Sequence, residues 1–253
     1  NLQINLYKKG CLVIYLKLGI MQPYFLPYLG YFDLINRTDQ WVIFDTVQYI
    51  RHGWINRNRI LHPSSGWSYI TVPVKASRET VIKEVKISND GKWEKRIYGQ
   101  LLHYKKRAPF FEATMELLEK ILAHKTDSIS ELNVFALHQV CSYLGIRFDY
   151  KFFSDMKIEL ENIEGPGDWA LQISKALGAS EYINPPGGRH LFNDEKFSAL
   201  NIKLIIQDPP TMQYDCPGYE FIPGLSILDV LMWNSPNSVK QYLDNHKSEQ
   251  ENE

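Results

Sequence analysis

The first strong pattern along the chain is a short apolar run, LKLGIM (Leu16–Met21), which gives way at once to QPYFLPYLG, a loop punctuated by Pro23, Pro27 and Gly30. YFDLINR then has the spacing of the opening turns of a helix, and WVIFD (Trp41–Asp45) has the length and composition of a buried strand. Strand, loop, helix and strand within about thirty residues predict a βαβ unit. Farther on, NRNRIL and WSYITVPV read as extended runs separated by the turn cluster HPSSG, and TVIKEVKIS alternates as an exposed strand does. This stretch is expected to be a β-rich insertion or a sheet edge.

From Lys92 the period lengthens. Trp93, Ile97, Leu101 and Tyr104 fall on one helical face before Pro109 ends the pattern. A second helix is expected from about Phe111 to His124, with Met115, Leu118, Ile121 and Leu122 turned inward. The third opens on a capping box of Ser128 and Glu131, carries the stripe Leu132, Phe135, Ala136, Val140 and Tyr143, and stops at Gly145. After Gly165-Pro166-Gly167, Asp168 is placed to cap WALQISKAL, with Gly178 as its stop. Glu181–Ile183 reads as a short strand, NPPGGRH as a loop, NDEKFSAL as a helix and IKLIIQ as a buried strand, which implies a second βαβ unit. Ser226 caps SILDVLMW, Pro236 opens NSVKQYL, and KSEQENE reads as a solvated end without order.

Composition narrows the class. At roughly 150 residues per domain, 253 residues make one large domain or a domain with a small appendage. The 28 Lys plus Arg against 29 Asp plus Glu disfavour binding of extended nucleic acid while leaving local phosphate binding open. Aromatic residues reach 13%, enough for an aromatic-rich core or for a pocket with apolar walls and polar tips. Cys11, Cys141 and Cys216 are too scattered for a disulfide framework or a closed zinc site and fit a reducing cytoplasm. The apolar run Cys11–Leu16 ends at Lys17, far below the roughly 20 residues a membrane span needs, so no membrane insertion is expected. Asn1–Tyr15 lacks the cleavage pattern of a signal peptide and is read as an upstream extension or a vector-derived segment. The expected organisation is residues 1–15 as that extension, 16–246 as one α/β domain with a helical subdomain at about 92–145, and 247–253 as a disordered tail.

Parallel sheets bind ligands outside the carboxyl ends of their strands, which selects the loops after Met21, Asp45, Ile183 and Gln207. In the first, Gln22 and the prolines hold Tyr24, Phe25 and Tyr28 where they can wall a base or sugar, unless the loop is only a rigid turn. Asp45 ends an apolar strand and can orient a hydroxyl, an amine or a metal-bound phosphate, or simply cap the next turn. Arg51, His52, Asn56, Arg57, Asn58, Arg59 and His62 lie in an acid-free segment that suits a phosphate clamp or an exposed basic strand. Alternation sends Asn56 and Asn58 to one face and Arg57 and Arg59 to the other, so only one pair can face a site. In NPPGGRH, Gly187 and Gly188 allow close backbone approach, Arg189 adds charge and His190 can move protons near neutrality, although a plain turn has the same composition. His138 and Cys141 are one helical turn apart, but two ligands fall short of a metal site and none is expected. GxSxG, Walker A and HExxH are absent.

Taken together, IMQPYFLPYLGYFDLI, WINRNRI, WSYITVPV, EYINPPGGRHLFNDEKF and FIPGLSILDVL resemble the WbqC-like protein family, over about Leu18 to Trp233. The resemblance implies a place in bacterial surface-polysaccharide (O-antigen) biosynthesis, with aminoacyl or glycyl transfer to amino sugars as the activity. The opening is also similar to nucleotidylyltransferases and pantothenate-synthetase-like ligases, in which a strand leads into a proline loop with HxGH. The positions corresponding to that motif are Tyr28, Leu29, Gly30 and Tyr31, so both histidines are replaced, and no KMSKS-like loop follows. The fold expected is therefore α/β, a mostly parallel Rossmann-like (nucleotidylyltransferase-like) sheet with a helical middle region and a β-rich insertion.

The expected function is acyl or aminoacyl transfer to the amine of a nucleotide-linked amino sugar. Its diphosphate would lie against Arg51–Arg59 or Gly187–His190, and its base or sugar near Gln22, Tyr24, Tyr28 and Gly30. His190 or His52 would accept the amine proton, and Asp45 would orient the acceptor. The residues leave the cofactor open, with ATP and Mg2+ the candidate, and the partner is a nucleotide sugar or another phosphorylated small molecule. Nucleotidyl transfer or ATP-dependent ligation, and a non-catalytic nucleotide-sugar-binding scaffold, are the alternatives.

Overall fold

A computed structural model of the chain describes residues 15–88, 91–161 and 163–251. The expected extension at 1–15 lies outside the described residues except for Tyr15. In chain order the elements are β1 (Lys17–Met21), α1 (Leu29–Arg37), β2 (Gln40–Ile43), β3 (Arg57–Leu61), β4 (Trp67–Thr71), β5 (Val74–Lys75), β6 (Lys86–Ile87), α2 (Trp93–Leu101), α3 (Phe111–Leu122), α4 (Ile129–Leu144), β7 (Tyr150–Phe152), α5 (Pro166–Ala176), β8 (Glu181–Asn184), α6 (Asp194–Ala199), β9 (Lys203–Ile206), α7 (Ile227–Trp233) and α8 (Pro236–Glu251).

Five of the strands form one sheet in the order β7-β2-β1-β8-β9, and every pair in it is parallel. The chain steps outward from β1 through β2 to β7, then returns to the other side of β1 to add β8 and β9. Strand order therefore reverses between β1 and β8. Alternate strand residues feed two cores, as the two-residue period requires. Leu18, Ile20 and Val42 pack with Ala170, Leu171 and Ile173 of α5 and Phe197 of α6, while Trp41 and Ile43 join the larger core built with α1 and the other helices. Gly19 sits midway along β1 because it pairs with Trp41, whose indole covers it; a Cβ there would lie 2.5 Å from the ring.

The middle helices bury their apolar faces in that same larger core, Trp93, Ile97, Leu101 and Tyr104 included. Beside them β3 and β4 make an antiparallel hairpin. Tyr104 seats it: its hydroxyl accepts from Leu61 N and donates to the carboxylate of Asp229 in α7. Burial pushes the Asp229 carboxyl up from its ordinary value despite the tyrosine hydrogen bonds it receives.

Several local expectations change. TVIKEVKIS forms a 3-10 turn at Ile82–Glu84 and only a two-residue strand, because Ile82 N and Lys83 N donate to the carbonyls of Val47 and Asp45 instead of to a partner strand. The edge strand β7 has no strong signature, being three residues long and partly exposed. At α4 the capping box is half formed: Glu131 N donates to Ser128 Oγ, but Thr126 intervenes on the other side, donating to the Glu131 carboxylate and accepting from Ser128 N. Asp168 lies inside α5 instead of at its cap, with its carboxylate accepting from Glu164 N and Gly165 N. The segment expected to be a tail without order continues α8 as far as Glu251, helped by Lys247 Nζ donating to Asn36 O and Ser248 Oγ to Asp244 O. Among the described residues no helix is long and apolar enough to cross a membrane.

The contact at Gly19 makes a direct test. Gly19→Ala forces a methyl into the Trp41 ring and is expected to cost about 1–3 kcal/mol, read as a lower urea midpoint with an unchanged slope. An unchanged midpoint would show that the indole can move aside.

Candidate functional site

The loop after β1 is held by side chains from four other elements. Gln22 O accepts from Tyr31 Oη of α1 at 2.8 Å, Pro23 O from Asn133 Nδ2 of α4 at 2.8 Å, and Phe25 O and Leu26 O both from Asn58 Nδ2 of β3 at 3.0 Å. Leu26 O also accepts from Ser226 Oγ at 2.7 Å, and Pro27 O from Ile227 N at 2.8 Å. Asn133 Nδ2 donates to Ile55 O as well, tying the loop to the segment that leads into β3. This bonding keeps Leu26 in the left-handed region at φ +42°, a conformation a leucine does not adopt unaided.

That loop forms one wall of a cavity of about 930 Å³. It opens at the carboxyl ends of β1 and β8, where the strand order reverses and parallel sheets present their ligand crevice. The walls are strongly aromatic: Tyr24 and Tyr28 from the first loop, Phe44 after β2, Trp54, Trp169 and Phe192. Burial pushes the Tyr24 and Tyr28 hydroxyls above their ordinary pKa, so both stay protonated donors at neutral pH. Gln22 and Asn184 supply amides at the strand ends. Asn184 is oriented by Tyr182, whose hydroxyl donates to Asn184 Oδ1 at 2.8 Å.

The cation of the site is Arg59. Its guanidinium lies 5.4 Å from the Trp54 ring centroid and 5.2 Å from that of Trp67, and it donates to Gly224 O at 3.1 Å. Arg59 Nε is buried without a hydrogen-bond partner, and no carboxylate pairs with this guanidinium among the described residues. Glu164 contributes the carboxylate of the lining, on a turn whose backbone N–H groups are fixed by Asp168.

Of the residues singled out in the sequence, Gln22, Tyr24, Tyr28, Asn58, Arg59, Gly187 and Gly188 come together at this cavity. Gly187 faces open space, whereas a Cβ at Gly188 would meet Asn184 Nδ2 at 2.5 Å. The stretch from Pro186 to Leu191 is a 3-10 turn. The other candidates stand elsewhere. Asp45 is buried and its carboxylate is taken up by Ser154 N and Ser154 Oγ, locking the end of β2 to the turn after β7. His52 is exposed in a turn at φ +66°, and Arg57 donates to its carbonyl. Arg51 borders a separate groove with Arg78. Asn56 is a buried brace between Tyr49 Oη and Val72 O, and Arg57 stacks on Tyr69 at 4.0 Å. Gly30 is buried in α1 against the Tyr28 ring. Tyr31, at the second histidine position of the HxGH likeness, is spent on Gln22 O. Arg189 pairs with Asp194, and His190 borders a smaller cleft of about 280 Å³ beyond the Gly165–Pro166 turn.

The model of the WbqC-like protein family matches residues 22–241. The chain belongs to the WbqC-like protein family. Its family span begins at Gln22, the first residue of the braced loop, and takes in the aromatic wall, Arg59 and Glu164. A relative, the uncharacterized protein Rv1507c of Mycobacterium tuberculosis (strain ATCC 25618 / H37Rv), is 32% identical over 238 residues, covering 90% of this chain and 97% of the relative. No solved structure matches the chain.

Phe44, Trp54, Glu164, Trp169, Asn184 and Phe192 complete the site and were not singled out in the sequence. Only Trp54, next to NRNRI, and Asn184, at a strand end, carried a local signal; the rest are brought in by the sheet and α5.

Two tests address how the site is held. Asn133→Ala leaves the carbonyls of Pro23 and Ile55 without donors and is expected to cost about 2–4 kcal/mol, measured by denaturant unfolding; a loss below half that range would show that water replaces the amide. The hydrogen bond from Lys196, with those from Glu164 N and Gly165 N, holds the Asp168 carboxyl below its ordinary value of 3.8. The stability it supplies is therefore present above that value and lost as pH falls through the depressed one. The gap in melting temperature between the natural protein and Asp168→Asn should be full at pH 7 and narrow progressively as pH falls below 3.8. A gap independent of pH would mean that the charge contributes nothing.

Proposed function

We propose that this protein is a cytoplasmic transferase of bacterial surface-polysaccharide (O-antigen) biosynthesis that binds a nucleotide-linked amino sugar in the cavity between β1 and β8. On this reading the sheet is Rossmann-like, of the nucleotidylyltransferase-like kind; its five parallel strands, numbered among themselves, run 3-2-1-4-5, and the ligand crevice falls at the reversal. The observation that carries the proposal is Arg59, a guanidinium without a carboxylate partner among the described residues, set against the Trp54 and Trp67 indoles at the rim of an aromatic-walled cavity. A phosphorylated ring compound satisfies both halves of that surface: its rings cover Tyr28, Phe44 and Trp169, and its phosphate oxygens take the guanidinium N–H groups.

The reaction is acyl or aminoacyl transfer. The sugar amine nitrogen bonds to the acyl carbon, the bond from that carbon to the donor's leaving group breaks, and the amine gives up a proton. Glu164, the carboxylate of the lining, is the base in this scheme, because His190 borders the neighbouring cleft and His52 sits on an exposed turn. Asp45, engaged by Ser154, acts as a positioning residue for the end of β2. A second reading, a nucleotide-sugar-binding scaffold, is favoured by the lining itself, which contains no His, Lys, Cys or Asp among the described residues. It differs in predicting stabilisation by ligand without turnover.

The test is a thermal-shift and calorimetry series with UDP- and TDP-linked amino sugars, ATP and acyl-CoA thioesters, with and without Mg2+. A nucleotide amino sugar is expected to stabilise the protein, by about 2.7 kcal/mol at a hundred times its Kd. Arg59→Ala should weaken that binding by roughly 10- to 100-fold, and Glu164→Gln should lower turnover more than affinity. Silence from every nucleotide, or a full shift in Arg59→Ala, would overturn the binding proposal.

A further inference from the structure

The hairpin β3–β4 has a second use for its outer face. Its inner face sends Asn58, Ile60 and Ile70 into the core, and its outer face carries Arg57 and Arg59 from one strand and Trp67 and Tyr69 from the other. These side chains touch in series away from the cavity: Arg59 to Trp67 at 5.2 Å, Trp67 to Tyr69 at 4.9 Å with the rings nearly perpendicular, and Tyr69 to Arg57 at 4.0 Å. Trp67 is 41% exposed, far more than an indole normally shows to water, and it lies outside the cavity lining. Arg57 has no carboxylate partner among the described residues; its guanidinium donates to the carbonyls of His52 and Gly53 and keeps N–H groups to spare.

We infer that this face is a binding platform for an acidic oligosaccharide, one that bears carboxylates on its sugar rings. An open indole is a surface for the C–H face of a pyranose, and a stacked guanidinium presents its edge in one plane, the geometry a carboxylate fork matches. Ring geometry decides against a nucleic acid. Trp67 and Tyr69 stand nearly perpendicular and the face carries two arginines, whereas a polynucleotide needs successive parallel ring faces along a continuous basic track. The platform meets the rim of the cavity at Arg59, so a saccharide lying on Trp67 has its end directed toward the cavity mouth. It is a second site that shares only Arg59 with the cavity; Trp67, Tyr69 and Arg57 lie outside the lining and do not require a nucleotide in the first.

Calorimetric titration of the full chain with hexagalacturonate, maltohexaose and a thymidine deoxy-hexamer tests this, with UDP as a separate probe of the cavity. Hexagalacturonate is expected to bind at least tenfold more tightly than the neutral maltohexaose, and the deoxy-hexamer no more tightly than maltohexaose. Trp67→Ala should weaken hexagalacturonate at least tenfold, Trp67→Phe should retain part of the binding, and Arg57→Gln should abolish the preference for the acidic sugar. Arg57→Gln, which touches neither Arg59 nor the cavity lining, should change UDP binding by no more than twofold. Failure of hexagalacturonate to bind, indifference of its binding to both Trp67→Ala and Arg57→Gln, or tighter binding of the deoxy-hexamer would each overturn the platform. Loss of the UDP signal with the saccharide response intact would overturn the cavity reading alone.

Discussion

A proline-rich turn in a protein interior carries carbonyls but few N–H groups, so the chain from Gln22 to Pro27 must be given donors from elsewhere. Five of its carbonyls, buried or partly so, are acceptors served by Tyr31, Asn133, Asn58, Ser226 and the backbone of Ile227. Each unmade bond of this kind costs about 1–3 kcal/mol, and a loop left to itself would find water instead. The arrangement of α1, β3, α4 and α7 around the end of β1 follows from that requirement.

Rigidity is the functional consequence. The same bonds that satisfy the turn place Tyr24 and Tyr28 along the cavity wall, with Leu26 kept in a left-handed conformation. A ligand then meets walls whose ordering was accomplished during folding, which spares it that entropy on binding. The far wall is fixed in a different way, through charge: Asp168 takes the backbone N–H groups of the Glu164–Gly165 turn and pairs with Lys196 of α6. One wall is thus held by neutral donors, and the other depends on an ionised carboxylate.

Polar residues that are adjacent in the chain have been divided between these structural and chemical tasks. In NRNR the asparagines face inward and brace Val72, Phe25 and Leu26, while the arginines face outward onto Trp54, Trp67 and Tyr69. Asp45, His52 and Arg189 have local engagements of their own away from the cavity, and His190 faces the smaller cleft. Free cation and open ring surface coincide at Arg59, which is where the cavity and the outer face of the hairpin meet.

Most elements were legible in the chain because they rest on period and punctuation: the apolar runs of β1, β2, β8 and β9, the helical stripes of α2 to α4, and the stops at Gly145 and Gly178 are local properties of neighbouring residues. The face-splitting of NRNR was equally local, being no more than strand alternation, but the expectation that only one pair could face a site fails, since Asn58 and Arg59 from opposite faces both line the cavity at the hairpin edge. Elements that depend on distant donors were not legible. Ile82 and Lys83 left the strand pattern because Val47 and Asp45 offered acceptors, β7 exists through its neighbour β2, and α8 runs on to Glu251 as its end docks on α1. The site divides along the same line. The sequence by itself determined which residue types were available at the strand ends, Gln22, Tyr24, Tyr28, Arg59 and the paired glycines. Only the tertiary structure decided that Phe44, Trp169 and Glu164 join them while Asp45 and His190 do not, because a cavity is a relation between chain segments far apart in sequence, and hydrogen-bond satisfaction across the whole core selects which side chains remain free to line it.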